Sequence, residues 1–216
     1  MDTVIVTVIF TAVGPLIGLA LALISVRLPA AEPETASRRR LRYGAFAVAA
    51  AVVGAWAALS QDTVSATLLT AMLGWMLLLI AMVDAEHFWL PDQLTLPLAA
   101  AGLGAALLPN GTGWLNAVIG AAVGFAGLWL LAFVYRRLRG RDGLGGGDPF
   151  LLAAGGAWVG WIGLPSVLLW AAASGLSLVL ARAILGKPLA GADRLAFGVF
   201  LAVGIWMTWL FGPLGL

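Results

Sequence analysis

From Gln93 to Tyr135 the chain carries no charged side chain, and residues 3–26, 44–61 and 149–181 are equally free of charge. About 20 apolar residues in a helix span the hydrocarbon core of a bilayer, and about 17 suffice at the short end. A chain of 216 residues with 62% apolar and 10% charged side chains has too little polar surface to hide so much hydrocarbon in a soluble core. The sequence therefore predicts an all-α polytopic membrane protein. There is no cysteine, which excludes disulfides, thiolate zinc ligands and cysteine nucleophiles. The start, MDTVIVTVIF, has an acid where a cleaved signal would carry positive charge, so it reads as a retained first span.

Charges and Pro/Gly clusters punctuate the hydrocarbon. They place spans at 3–28, 43–60, 65–83, 94–108, 114–135, 149–164, 166–185 and 195–212, eight in all. The fourth is short and contains Pro97, and only Gly-Leu-Pro-Ser separates the sixth from the seventh. Lys and Arg stay on the cytoplasmic side of short loops. With both termini on the non-cytoplasmic side, Arg27, Arg38, Arg39, Arg40 and Arg42 fall at the first cytoplasmic loop. Arg136, Arg137, Arg139 and Arg141 fall at another, and Arg182, Lys187 and Arg194 at a third. These are all twelve cations of the chain. The outer loops keep only Asp2 and Asp62. This basic face is explained by topology, and no nucleic-acid partner is expected.

One cytoplasmic loop breaks the rule. VDAEHFWLPDQLTLP, residues 83–97, holds Asp84, Glu86 and Asp92 without a cation. Span three ends inside at Asp84, and span six starts inside after Asp148, in GLGGGDPF. Both aspartates are thus expected at the cytoplasmic membrane boundary. Two carboxyl groups brought together in a poorly hydrated site do not both ionise easily, so one can act as acid and the other as base. That is the requirement of an aspartic protease. Gly145, Gly146 and Gly147 permit positive φ and close approach of a substrate backbone. Simpler roles compete. Asp148 before Pro149 is an ordinary helix start, Asp84 could be a solvated span end, and Asp92 after Pro91 reads as the cap of the fourth span. His87, the only histidine, has no clustered partner and makes a poor metal site, so no metal is expected.

These residues resemble the signatures of the type IV prepilin peptidases. VDAEHFWLPDQLTLPL is similar to the first, and Gly145-Gly146-Gly147-Asp148 to the second, the Gly-x-Gly-Asp motif. GPLIGLALALISVRLP resembles the family's first span, and LAFGVFLAVGIW its Pro-Phe-Gly-Pro-Phe-Leu segment. The resemblance implies one transmembrane peptidase domain over 1–216 in the bacterial inner membrane, with Asp84 and Asp148 catalytic. It would remove the basic leader of type IV prepilins or type II secretion pseudopilins at the cytoplasmic face, after a Gly and usually before a Phe. Glu86, Asp92 and Gly145 to Gly147 are the expected substrate-binding residues, the acids attracting the basic leader. Proteolysis needs no cofactor; S-adenosylmethionine enters only where N-methylation of the new terminus is retained.

Three departures stand out. Pro149-Phe150 replaces the usual Phe-Lys, and Ala196 and Val199 replace the two prolines of the C-terminal segment. The first cytoplasmic loop, residues 30–42, is too short for the cysteine-rich zinc domain of the bifunctional members. Two readings of other classes compete: a non-catalytic membrane subunit, and a small proton-coupled transporter, which would place charges deep in several spans. A third, another GxGD protease resembling signal peptide peptidase or presenilin, would need a Tyr before its first Asp; here Val83 stands there.

Overall fold

The computed structural model describes residues 3–27, 36–109, 111–140, 144–186 and 195–215. Arg141, Lys187, Arg194 and the side chains of Arg27 and Arg38 lie outside the described residues. The described residues form seven helices and no strand: α1 (Thr3–Arg27), α2 (Ala36–Ser60), α3 (Val64–His87), α4 (Asp92–Ala105), α5 (Trp114–Arg139), α6 (Asp148–Ile184) and α7 (Phe197–Phe211). Five of them, α1, α2, α3, α5 and α6, are long and apolar enough to cross a membrane, whereas α4 and α7 are shorter. The chain is an all-helical membrane protein.

Two compact units divide it, Met1–Met82 and Val83–Leu216. Within the first, α1 and α2 run antiparallel with their backbones nearly touching. A Cβ at Gly14 would lie 2.5 Å from Ala51 Cα, Gly18 abuts the Phe46 carbonyl, and a Cβ at Gly54 would lie 2.7 Å from the Phe10 carbonyl oxygen. In lipid there is little hydrophobic drive between helices, so small residues and close backbone packing carry association. Trp75 of α3 stacks on Phe10, centroids 6.4 Å apart, and donates Nε1–H to the Ala50 carbonyl at 2.9 Å.

The second unit positions the site. α5 and the start of α6 are antiparallel: Gly120 faces Gly156 backbone to backbone, Gly124 faces the Leu152 carbonyl, and Phe125 meets Phe150 edge-on at 5.1 Å. Gly160 then breaks α6, with φ 73° and ψ 172°. Contacts with α7 give the direction of each arm. Gly155 meets Ile205 and Trp158 meets Trp209, so residues 148–159 run parallel to α7. Gly163 meets Thr208, Gly204 the Val167 carbonyl and Gly175 Phe200, so residues 161–184 run the opposite way.

α6 is therefore a hairpin of two arms, about 18 Å and 36 Å long at 1.5 Å per residue. The two spans expected at 149–164 and 166–185 overlap these arms, of which the first is shorter than the roughly 30 Å of a bilayer core. The chain reverses at Gly160, however, and not at Gly-Leu-Pro-Ser, because only glycine occupies this φ/ψ region readily. Pro165 falls early in the second arm, where fewer backbone N–H groups are needed. α4 lies along the first arm, with Trp158, almost wholly buried, donating Nε1–H to the Leu98 carbonyl at 2.9 Å.

Candidate active site

Asp84 is built into the last turn of α3 and is buried. Its own carbonyl accepts the Phe88 N–H at 2.8 Å, and Phe88 closes the helix with φ 52°. A left-handed conformation costs a non-glycine residue roughly 1–2 kcal/mol, so the turn is held by its surroundings. It leaves Phe88 and Trp89 about half exposed and sends Leu90 inward, 5% exposed. Asp92 then begins α4.

Asp148, also buried, is the first residue of α6. Its Oδ2 accepts the Gly145 N–H at 2.9 Å, while its own N–H reaches the Gly145 carbonyl at 3.2 Å. Neither aspartate takes the capping role expected of it. Gly147 is the N-cap of α6 and Pro91 that of α4, neither with a side-chain cap bond, so Asp148 and Asp92 sit inside the first turns. There their charge meets the positive end of the helix macrodipole.

Contacts along α7 put the two carboxyl groups at one level. The offset of Gly155–Ile205 aligns Asp148 with Gly198. At Gly198 a Cβ would stand 2.7 Å from Asp84 Oδ2, and the Val199 N–H donates to that oxygen at 3.2 Å. Leu90 completes the arrangement: a Cβ at Gly147 would lie 2.5 Å from Leu90 Cβ, and one at Gly198 3.0 Å from Leu90 Cδ1.

The glycines act differently from expectation. None of Gly145, Gly146 and Gly147 has positive φ. Gly147 gives Leu90 its space, Gly145 supplies a donor, and Gly146 faces open space. Of the acids, Glu86 and Asp92 are exposed, and Glu86 Oε2 lies 3.7 Å from His87 Nε2. The sequence points to neither Leu90 nor Gly198, and to Val199 only as a departure from the similar C-terminal segment. Their only sequence signal is membership of the two segments that carry the resemblance, since a contact between residues 84 and 199 leaves no local pattern.

The register with α5 also fixes a depth. Gly156 opposite Gly120 and Phe150 opposite Phe125 set Asp148 level with Leu128, itself buried. Arg136 lies eight residues further, about 12 Å along α5. Asp148 is thus recessed below the basic end of α5, not level with it.

A helical membrane protein with two buried carboxyl groups at one level, each fed by a backbone N–H, has the makings of an acid–base catalyst within a bilayer. Residues 71–180, just over half of the chain, match the type IV leader peptidase family, and the chain belongs to that family. It is 41% identical over 151 residues to a prepilin leader peptidase/N-methyltransferase of Aeromonas hydrophila, covering 68% of this chain and 50% of that protein. The protein of that description from Dichelobacter nodosus is 40% identical over 139 residues, 64% of this chain and 46% of the relative. The one from Burkholderia pseudomallei is 43% identical over 136 residues, 63% and 44% respectively. The chain spans about half the length of the curated relatives it matches. No solved structure matches it.

Proposed function

We propose that the chain is a membrane-embedded aspartic endopeptidase of the GxGD type, with Asp84 and Asp148 as its catalytic pair. It removes the basic leader of type IV prepilins or type II secretion pseudopilins. The observation that carries this reading is the burial of both carboxyl groups at one level, each with a backbone N–H on its Oδ2. Both lie within the stretch that matches the family. Membership of that family favours neither the transporter nor the non-catalytic subunit.

The chemistry needs one ionised and one protonated carboxyl. The carboxylate takes a proton from a water whose oxygen attacks the scissile carbonyl carbon. The acid gives its proton to the carbonyl oxygen. As the tetrahedral intermediate collapses and the C–N bond breaks, the carboxyl that took the water's proton gives it to the leaving amine. The other, now ionised, takes a proton from the gem-diol hydroxyl, which restores the pair. The exposed Glu86 and Asp92 draw the basic leader toward the site, and the open face at Gly146 admits its extended backbone.

For orientation, the loops bearing Lys and Arg face the cytoplasm of the bacterial inner membrane, and both termini lie on the other side. Counting the arms of α6 separately gives eight apolar segments, an even number that returns the chain to its starting side. N-methylation with S-adenosylmethionine is the finer question. The chain has no cysteine for a thiolate zinc site, and no proteolytic step runs through the methyl donor.

The test is mass spectrometry of a prepilin's N-terminus after incubation with the purified chain and S-adenosylmethionine. Wild type removes the leader, whereas folded Asp84→Asn and Asp148→Asn leave it intact. A methyl group on the new terminus decides the second activity. Glu86→Gln with Asp92→Asn weakens cleavage most at low salt, where screening is least. Leader left whole across several prepilins and pseudopilins would sink the peptidase reading.

A further inference from the structure

We propose that Gly198 and Val199, in the first turn of α7, are positioning residues that orient Asp84 for the reaction. This rests on the endopeptidase reading above. The first N–H groups of a helix have no partner inside it, and Ala196, the N-cap of α7, offers no side-chain acceptor. Asp84 supplies one from the end of another helix, across 115 positions of chain, with Oδ2 3.2 Å from the Val199 nitrogen. An acid of α3 thus caps α7, and the cap is the catalytic carboxyl itself.

Gly198 makes the approach possible. A Cβ there would stand 2.7 Å from Asp84 Oδ2 and 3.0 Å from its Cγ, distances that require the carboxyl group to move. The same Cβ would press on Leu90 Cδ1 at 3.0 Å, so the carboxyl cannot shift simply by displacing a loose neighbour. Leu90 is pinned in turn against Gly147, next to Asp148. The start of α7 therefore sets where Asp84 stands relative to Asp148.

Val199 gives this device a character particular to this chain. It stands where the similar Pro-Phe-Gly-Pro-Phe-Leu segment has its second proline, and a proline has no N–H to give. The substitution adds a directional hydrogen bond to an acidic group at the reacting centre. Hydrogen bonds to charged groups are stronger than those between neutral ones.

The experiment uses the full chain in lipid nanodiscs, with a synthetic prepilin peptide carrying a basic leader, a Gly-Phe junction and an apolar helix. Val199→Pro deletes the donor at a position early enough in a helix to accept proline. It is expected to lower kcat roughly tenfold to a hundredfold, the range of one charge-assisted bond, with KM within about twofold. Val199→Ala keeps the N–H and restores kcat to the wild-type range. Gly198→Ala lowers kcat in the same way, by steric displacement, and serves where Val199→Pro does not fold.

Equal losses in Val199→Pro and Val199→Ala would reduce the effect to packing and overturn the proposal. So would a loss confined to KM, or unchanged kcat in Gly198→Ala. A second readout stands apart from activity. The effects of Val199→Pro and Asp84→Ala, which removes the acceptor, on the thermal midpoint are non-additive if the bond exists, and additive shifts would overturn it. A wild type that binds the peptide without cutting it would refute the endopeptidase reading, while the thermal cycle would still decide the hydrogen bond.

Discussion

Leu90 is a buried apolar residue in a loop that the sequence marks by its acids. Its side chain occupies the space left by two glycines, Gly147 beside Asp148 and Gly198 beside Asp84. Spacing of the pair is thereby a packing property, and packed interiors respond to single methyl groups. Gly147→Ala puts a carbon 2.5 Å from Leu90 Cβ and 3.0 Å from its carbonyl oxygen. Backbone must shift to admit it, at a cost of about 1–3 kcal/mol. We expect at least a tenfold fall in kcat with the fold retained, measured by peptide cleavage beside detergent gel filtration. Gly146→Ala meets nothing within 4 Å in the chain itself, so a rise in KM there would mark a contact with substrate. Wild-type kcat in Gly147→Ala would mean that Leu90 does not space the carboxyls.

Among the elements, α6 governs the unit that holds the site. Its first arm carries Asp148 and is gripped by α4, α5 and α7; its second returns along α7. Reversal depends on Gly160 at φ 73°, ψ 172°, where an L side chain costs about 1–3 kcal/mol. Gly160→Ala should therefore lower the thermal midpoint clearly. Gly127→Ala, on a helix face with nothing within 4 Å, should leave it level or slightly raised, since alanine favours helix. A Gly160→Ala midpoint equal to wild type would mean that the break tolerates a side chain.

The sequence makes much of this element legible, but not its turning point. Hydropathy distinguishes two apolar arms, yet Gly-Leu-Pro-Ser looks like the stronger punctuation. Gly160 resembles its neighbours Gly155, Gly156 and Gly163, which serve packing. Only φ separates them, and composition does not encode φ. Asp84 and Asp148 were legible because acids are rare in hydrocarbon. Leu90 and Gly198 were not, because apolar and small residues are the background of such a chain.

At the scale of the whole molecule, charge decides orientation and helix register decides depth. All cations gather at three connections, and the register on α5 sinks Asp148 about 12 Å below Arg136. In the orientation proposed above, a carboxyl so placed would be reached by water from the cytoplasmic side and not at the lipid surface. A chain without cysteine allows this to be read directly with single cysteines. In intact spheroplasts, a membrane-impermeant maleimide should label Asp62→Cys, at the exposed connection of α2 to α3. Arg40→Cys and Arg139→Cys, also exposed, should react only after the membrane is opened. Gly146→Cys, beside the recessed pair, should then react more slowly than Arg139→Cys and be protected by a prepilin peptide. Labelling of Arg139→Cys from outside would invert the topology. Equal rates at Gly146→Cys and Arg139→Cys would bring the site up to the surface and remove the need for a substrate to enter the bilayer's depth to be cut.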